Sequence, residues 1–198
     1  MFDQSRDPGA PGDVVLGIDP GLSRCGYGAV RREGQRMVPV AFGVLRTPPE
    51  APLPERLAQL QTDLEELFDD LAPAGVAVER ILFQVNARTA ITVGQASGLA
   101  LAAAARRGIP VDHYSPNEVK LAVTGYGAAD KEQVQAMVTR LCNLSAPPRP
   151  PDAADALALA LCHLWAAPLR DADRDGAAHA ATGFQRAVAA ALQKDGTR

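Results

Sequence analysis

Val14-Val15-Leu16-Gly17-Ile18 is a short, β-branched apolar run bounded by turn residues, the pattern of a strand covered on both faces. It ends in Asp19, after which Pro20-Gly21 turns the chain into Cys25–Val30, extended again as the return arm of a hairpin. Met37–Leu45 predicts a third strand and so an antiparallel meander. Pro48, Pro49, Pro52 and Pro54 make a stiff connection, and Pro54 suits the first turn of a helix. In that helix Leu57, Leu60, Leu64, Leu67, Phe68 and Leu71 recur at helical spacing, with Asp63, Glu65, Glu66, Asp69 and Asp70 on a solvated acidic side. Gly75–Glu79 repeats the opening pattern, a buried-type strand ending in a carboxylate. Thr89–Arg107 is a long Ala-rich helix with Gly94 and Gly98 one turn apart, closed by Gly108. A strand over Ile109–His113 follows. Ser115-Pro116-Asn117-Glu118 has capping-box spacing and starts a helix bearing Lys120, which Gly125-Tyr126-Gly127 breaks. Asp130 opens a helix over Lys131–Leu144, and the Pro-rich stretch Pro147–Pro151 delivers the chain to a strong helix start at Asp152–Leu161. Phe184–Leu192 is a candidate short helix near the end.

Composition narrows the class. With 198 residues, 47% of them hydrophobic, the chain accommodates one α/β domain with a full core, expected over residues 13–167, between a Pro/Gly/Asp-rich leader at 1–12 and a weakly patterned tail at 168–198. No apolar run is long enough to span a bilayer, and Met1–Gly9 lacks the basic and apolar regions of a signal peptide, so the expectation is a soluble, cytoplasmic protein with no membrane partner. Cys25, Cys142 and Cys162 are odd in number and far apart, which predicts reduced core residues rather than disulfides or a zinc site. His113, His163 and His179 are as scattered and read as structural. The net charge of −3 argues against a polyanionic partner, but its distribution changes that. Residues 79–140 hold seven basic side chains against five acidic ones, leaving −5 for the rest. Arg88, Lys120 and Lys131 lie in this segment and are candidates for a basic, nucleic-acid-binding face.

Four acids carry the candidate chemistry. Asp19 and Glu79 end two buried strands, and Asp152 and Asp155, three residues apart, share one face of a helix's first turn. Helix capping accounts for either aspartate but leaves Asp19 and Glu79 unexplained. Carboxylates brought together repel one another, and burying them is costly unless cations neutralise them. All-oxygen ligands select Mg²⁺ or Mn²⁺, and two such ions suit phosphodiester hydrolysis. The order of elements is that of the ribonuclease H-like architecture, an α/β fold whose mixed central sheet contains an antiparallel meander and is flanked by helices.

Residues 14–165 also resemble the RuvC family of Holliday junction resolvases, endonucleases that cut four-way DNA junctions in recombination and repair. The matching stretches are Gly17-Ile18-Asp19-Pro20-Gly21, Gly26-Tyr27-Gly28, Glu79, Gly94-Gln95-Ala96 with Gly98, Lys131 with Gln133-Val134-Gln135, and Asp152–Ala158. The resemblance implies a homodimer that acts on four-way junction DNA, alongside the branch-migration helicase complex of RuvA and RuvB. It implies Asp19, Glu79, Asp152 and Asp155 as catalytic ligands of two ions, and Lys120 and Lys131 as lysines acting on DNA near them. Gly94 and Gly98 would let another backbone approach, either within the monomer or across the dimer interface. The chain departs from the family after the catalytic glutamate. Glu79-Arg80-Ile81-Leu82-Phe83 carries Leu where the family often has a junction-opening aromatic, with Phe one residue later. Arg80, Leu82 and Phe83 are therefore further candidate DNA contacts. A continuing strand would turn Leu82 to the DNA and bury Phe83, whereas a loop would let Phe83 act as the wedge. The rival class, the actin-like ATPases and sugar kinases, shares the opening Gly-Ile-Asp turn but closes two such domains on a nucleotide, and this chain has room for one.

Overall fold

A computed structural model describes residues 14–80 and 87–166, with the helical backbone alone for 87–89. The leader at 1–12, Leu82 and Phe83, and the tail at 168–198 with Phe184–Leu192 lie outside the described residues. Strands β1 (Val14–Asp19), β2 (Arg24–Glu33), β3 (Arg36–Arg46), β4 (Gly75–Glu79) and β5 (Val111–Tyr114) form one sheet in the order β3-β2-β1-β4-β5. The first three strands are an antiparallel meander, as their hairpin spacing predicts, while β4 joins β1 and β5 joins β4 in parallel. The pairing of β2 with β3 shifts by one residue between Ala29 and Val30, the signature of a bulge. The sheet and its flanking helices make the mixed α/β architecture expected from the hydrophobic pattern.

Side chains alternate across the sheet. On one face Val14, Leu16, Ile18, Tyr27, Val76 and Val78 share a core cluster with helices α1 (Leu53–Leu71) and α2 (Ala87–Arg106), which contribute Leu60, Leu64, Leu67, Phe68, Ala96, Ala100, Ala103 and Ala104. The acidic side of α1 is not merely solvated, as its pattern implied. Glu65 pairs with Arg106, and Asp69 takes Arg107 at 2.6 Å, with the Arg107 guanidinium 5.6 Å from the Phe68 ring centre. Two of the seven basic residues counted toward a DNA face are therefore engaged in tying α2 to α1.

The opposite face of the sheet is covered by α5 (residues 151–166), whose residues 153, 154 and 156–163 are buried. Helices α3 (Pro116–Thr124) and α4 (Lys131–Leu141) pack together; α3 meets α5 where Cys162 Sγ donates to the Glu118 carbonyl at 3.9 Å, and α4 meets it through Lys131 and Asp155. Both begin in capping boxes. Ser115 accepts from Glu118 N while Glu118 Oε2 accepts from Ser115 N, and Asp130 and Gln133 do the same for α4. Gly125, at φ 75°, caps α3 in the left-handed region open to glycine. Helix α4 ends at Leu141 rather than Leu144 because Cys142 caps it and Asn143 turns left-handed. All three cysteines are free and buried, and His163 is buried with its Nδ1 3.0 Å from the Tyr114 hydroxyl. Among the described residues no helix is long and apolar enough to cross a membrane.

Candidate active site: four carboxylates at one edge of the sheet

Parallel pairing of β1 and β4 aligns Ile18 with Val78, so Asp19 and Glu79 finish adjacent strands side by side. Alternation puts both on the α5 face, with Gly17 and Ala77 behind them. Helix α5 can reach that edge because the strands beneath it carry no side chains at the crossing. A Cβ added at Gly17 would overlap the Ala156 carbonyl oxygen, one at Gly26 would overlap that of Asp152, and one at Gly28 would stand 2.5 Å from Leu157 N. The backbone of α5 therefore lies directly on β1 and β2, and its first turn brings Asp152 and Asp155 to Asp19.

The electrostatics show the cost of this assembly. Burial, then the charge of Glu79, raises the Asp19 carboxyl to about 7, with Asp155, a hydrogen bond to Glu79, and Asp152 adding to the effect. Burial raises Glu79 as well, while the hydrogen bond it accepts from Asp19 pulls it back down. Asp155 is likewise raised by burial and lowered by Lys131, whose Nζ lies 3.4 Å from Asp155 Oδ2; Lys131 is in turn raised, chiefly by Asp155. Asp152 Oδ1 faces the Arg24 guanidinium at 3.5 Å, and its Oδ2 is buried with no hydrogen-bond partner. Burial pushes the neighbouring Cys25 thiol up to about 12, which removes it as a nucleophile.

This donor set fits a hard divalent cation. Its members are all oxygens, one is orphaned in a buried position, and burial together with the neighbouring acids holds the Asp19 carboxyl well above the ordinary carboxylate range. Among the described residues no three acidic, imidazole or thiol groups converge closely enough to hold one ion as they stand. Instead, the acids stand as Asp19 with Glu79 at the strand ends and Asp152 with Asp155 on one helical turn. Mg²⁺ accepts such a site, since one or two carboxylates and retained waters suffice to bind it.

Of the predicted DNA contacts, Lys120 and Lys131 line the same cavity of about 210 Å³ as Asp19, Glu79 and Asp155, with Val119, Val134 and Leu159 among its apolar walls. Arg80 lies just past the end of β4, exposed, with its backbone N–H on the Tyr114 carbonyl and Nη2 3.3 Å from the His113 carbonyl. Arg88 is on α2, where only the backbone is described. Sequence reasoning overlooked Arg24 and Arg56. The first opens the return strand five residues past Asp19, a position from which it could have been suspected. The second acts across 33 residues through Ser23, and no local pattern announces it.

A family model described as crossover junction endodeoxyribonuclease RuvC matches residues 15–163. A crossover junction endodeoxyribonuclease RuvC of Rhodococcus opacus is 51% identical over 189 residues, covering 93% of this chain and 99% of the relative. One from Salinispora arenicola is 57% identical over 152 residues, 76% of this chain and 87% of the relative. The solved structure of Thermus thermophilus RuvC in complex with Holliday junction substrate superposes with a TM-score of 0.75 at 38% identity, over 79% of this chain and 96% of that one.

Proposed function

The chain belongs to the RuvC family of crossover junction endodeoxyribonucleases, and from that premise we propose how its own residues cut a four-way DNA junction by phosphodiester hydrolysis. One observation carries the reading of the site. Carboxylates from two strand ends and a helix start meet at one edge of a ribonuclease H-like sheet, beside two lysines that share their cavity. Asp19, Glu79, Asp152 and Asp155 would hold two Mg²⁺ or Mn²⁺ ions. When bound, such a pair activates water and stabilises the leaving oxygen of an in-line displacement.

The protein's part is to position and to balance charge. Glycine contacts fix α5, so that Asp152 and Asp155 stand at a set distance from Asp19 and Glu79. Lys131 offsets the charge of Asp155, and Lys120, which lines the same cavity, is placed to meet a phosphate. The apolar walls limit water around the reacting group, which strengthens these charges. Arg80 and Arg88, with Leu82 and Phe83 in the segment after β4, are proposed to contact the junction arms.

Resolution needs two opposed strands cut, and a two-fold dimer supplies two identical sites. Helix α2 supports this, for Gly98 faces open space and Ile91 is 62% exposed on the same helix. Family membership alone supports cooperation with the RuvA and RuvB branch-migration complex, and with it work in the cytoplasm. The test of the function is a labelled four-way junction with divalent metal and no ATP. Paired, symmetric nicks that vanish on chelation are expected; cutting that required a nucleotide would point instead to the ATPase class. A Gly98→Leu chain that stays dimeric by light scattering and still makes paired cuts would remove α2 from the interface.

A further inference from the structure

We propose that a second cavity, of about 330 Å³ over the turn between β1 and β2, is a phosphate seat in which Arg24 and Arg56 hold a backbone phosphate of the cut strand next to the one that is hydrolysed. The inference rests on the nuclease reading above and adds to it where the strand lies. This cavity is lined by Asp19, Asp152, residues 20–23, Arg24, Arg56 and Thr92, whereas the lysine-lined cavity shares only Asp19 with it and is otherwise lined from β4, α3, α4 and α5. The acid cluster therefore borders two pairs of cations in separate cavities, Lys120 and Lys131 from α3 and α4 in one and Arg24 and Arg56 from β2 and α1 in the other. A polyanion crossing four carboxylates needs such flanking charge to approach at all.

The two arginines are held differently, and both arrangements suit a phosphate. Arg56 is built in. Its Nη2 donates to Ser23 Oγ at 2.6 Å and its Nε to Thr47 Oγ1 at 3.0 Å, while the Thr47 hydroxyl, in a residue only 4% exposed, donates to the Leu22 carbonyl at 2.6 Å. That chain of bonds ties α1 to the turn directly after Asp19 and orders a guanidinium that still has N–H groups to offer. Arg24 is loosely held. Its side chain is 54% exposed, and its ion pair with Asp152 is longer than an ordinary N–H···O bond. A metal ion would claim that carboxylate, and the guanidinium fork is then available to an oxyanion it matches in a bidentate manner. Arg24 is thus a substrate-positioning residue that sets the register of the strand, with the scissile phosphate between the lysine and arginine sides.

Junctions carrying one uncharged methylphosphonate at successive positions test this, with the substitution placed either in the cut strand or in the crossing strand. Binding is read by fluorescence anisotropy, and cleavage by gel, for the full-length wild type, Arg24→Ala, Arg24→Lys and Arg56→Lys. One methylphosphonate beside the cut should weaken wild-type binding about tenfold and cost Arg24→Ala nothing more. The salt slope of Arg24→Ala should fall by about one per site. Its KM should rise with kcat little changed, Arg24→Lys should recover only part of the loss, and Arg56→Lys should show the same non-additivity at that position. Melting of Arg24→Ala should match wild type, because the side chain is exposed. Losses that multiply at every position of the cut strand would overturn the seat, as would coupling confined to the crossing strand. A wild type that left unmodified junctions uncut would instead overturn the nuclease reading itself.

Discussion

Helices cover both faces of the sheet, but the strands meet the two coverings with different residues. Toward α1 and α2 the strands present Val, Leu, Ile and Tyr, and the helices answer with Leu60, Leu64, Phe68 and a row of alanines. Toward α5 the strands present Gly17, Gly26 and Gly28, and the helix answers with its own backbone. The first face removes large apolar side chains from water, at about 1.5–3 kcal/mol for each one fully buried, and tolerates small movements because many contacts share the load. The second also buries apolar side chains, Leu157 and Leu161 among them, but where the helix crosses the glycines backbone meets backbone, and each glycine costs the strand roughly 0.5–1 kcal/mol against alanine. What it contributes is a fixed approach of helix to strand, on which the position of Asp152 and Asp155 depends. Both faces bury apolar side chains, and the glycine contacts of the second also set the geometry of the site.

The largest expected effect concerns the acids that the glycine face brings together. Asp19→Asn and Glu79→Gln should each lower junction cleavage by about 10³-fold or more while leaving junction binding intact or tighter, as repulsion falls. A neutral variant that cuts at the wild-type rate would place that residue outside the chemistry.

Next comes the glycine face itself. Gly17→Ala forces α5 away from β1, and a displacement of about 1 Å at reacting groups costs about 10²-fold in rate, so cleavage should fall by that order in protein that is still folded by circular dichroism. Undiminished cleavage by Gly17→Ala would show that the close packing has no bearing on the site. Leu64→Ala on the other face should do the converse. It should cost about 2–5 kcal/mol in chemical denaturation, as truncating a buried leucine does, and leave kcat of the folded fraction nearly unchanged.

The smallest effect is a pH dependence peculiar to the site. Asp19 holds its proton up to about pH 7 in the folded chain and up to the ordinary value of 3.8 when unfolded. Between those values the folded state binds more protons, so stability is fully present below about pH 4 and is lost as pH rises toward 7. For the metal-free protein the loss should be roughly 2–4 kcal/mol, since each tenfold difference in proton affinity between folded and unfolded chain is worth about 1.4 kcal/mol and Asp19 shares its proton with Glu79. Denaturation across pH 5–8 should show this slope, with Glu79 and Asp155 adding to it in the same direction. Asp19→Asn should flatten the slope, and Mg²⁺ should reduce it by replacing the proton. A slope unaltered in Asp19→Asn would assign it elsewhere.

Much of this molecule is legible from contiguous residues, because the interactions concerned reach no further than a few positions. The apolar runs ending in Asp19 and Glu79 read as strands with carboxylates at their ends. Ser115 with Glu118 and Asp130 with Gln133 read as capping boxes, since donor and acceptor lie within one turn. Asp152 and Asp155 read as one helix face by the helical period alone. The acidic stretch of α1 is legible only in part, because its Arg106 and Arg107 partners arrive from another helix.

Other features depend on which elements meet, and the tertiary structure alone decides that. Gly17, Gly26 and Gly28 stand out in the sequence as glycines in strands, but their purpose appears only once α5 lies across them. Arg56 reaches the turn after Asp19 through Ser23, 33 residues away, and Asp19 is raised to about 7 by burial and three other acids from β4 and α5. Hydrogen bonding within a turn is encoded locally because chain connectivity holds the partners together. The distance between two carboxylates on different elements, and the dielectric around them, exists only after the sheet and helices have packed, so the sequence identified the chemical groups and the fold set their charge.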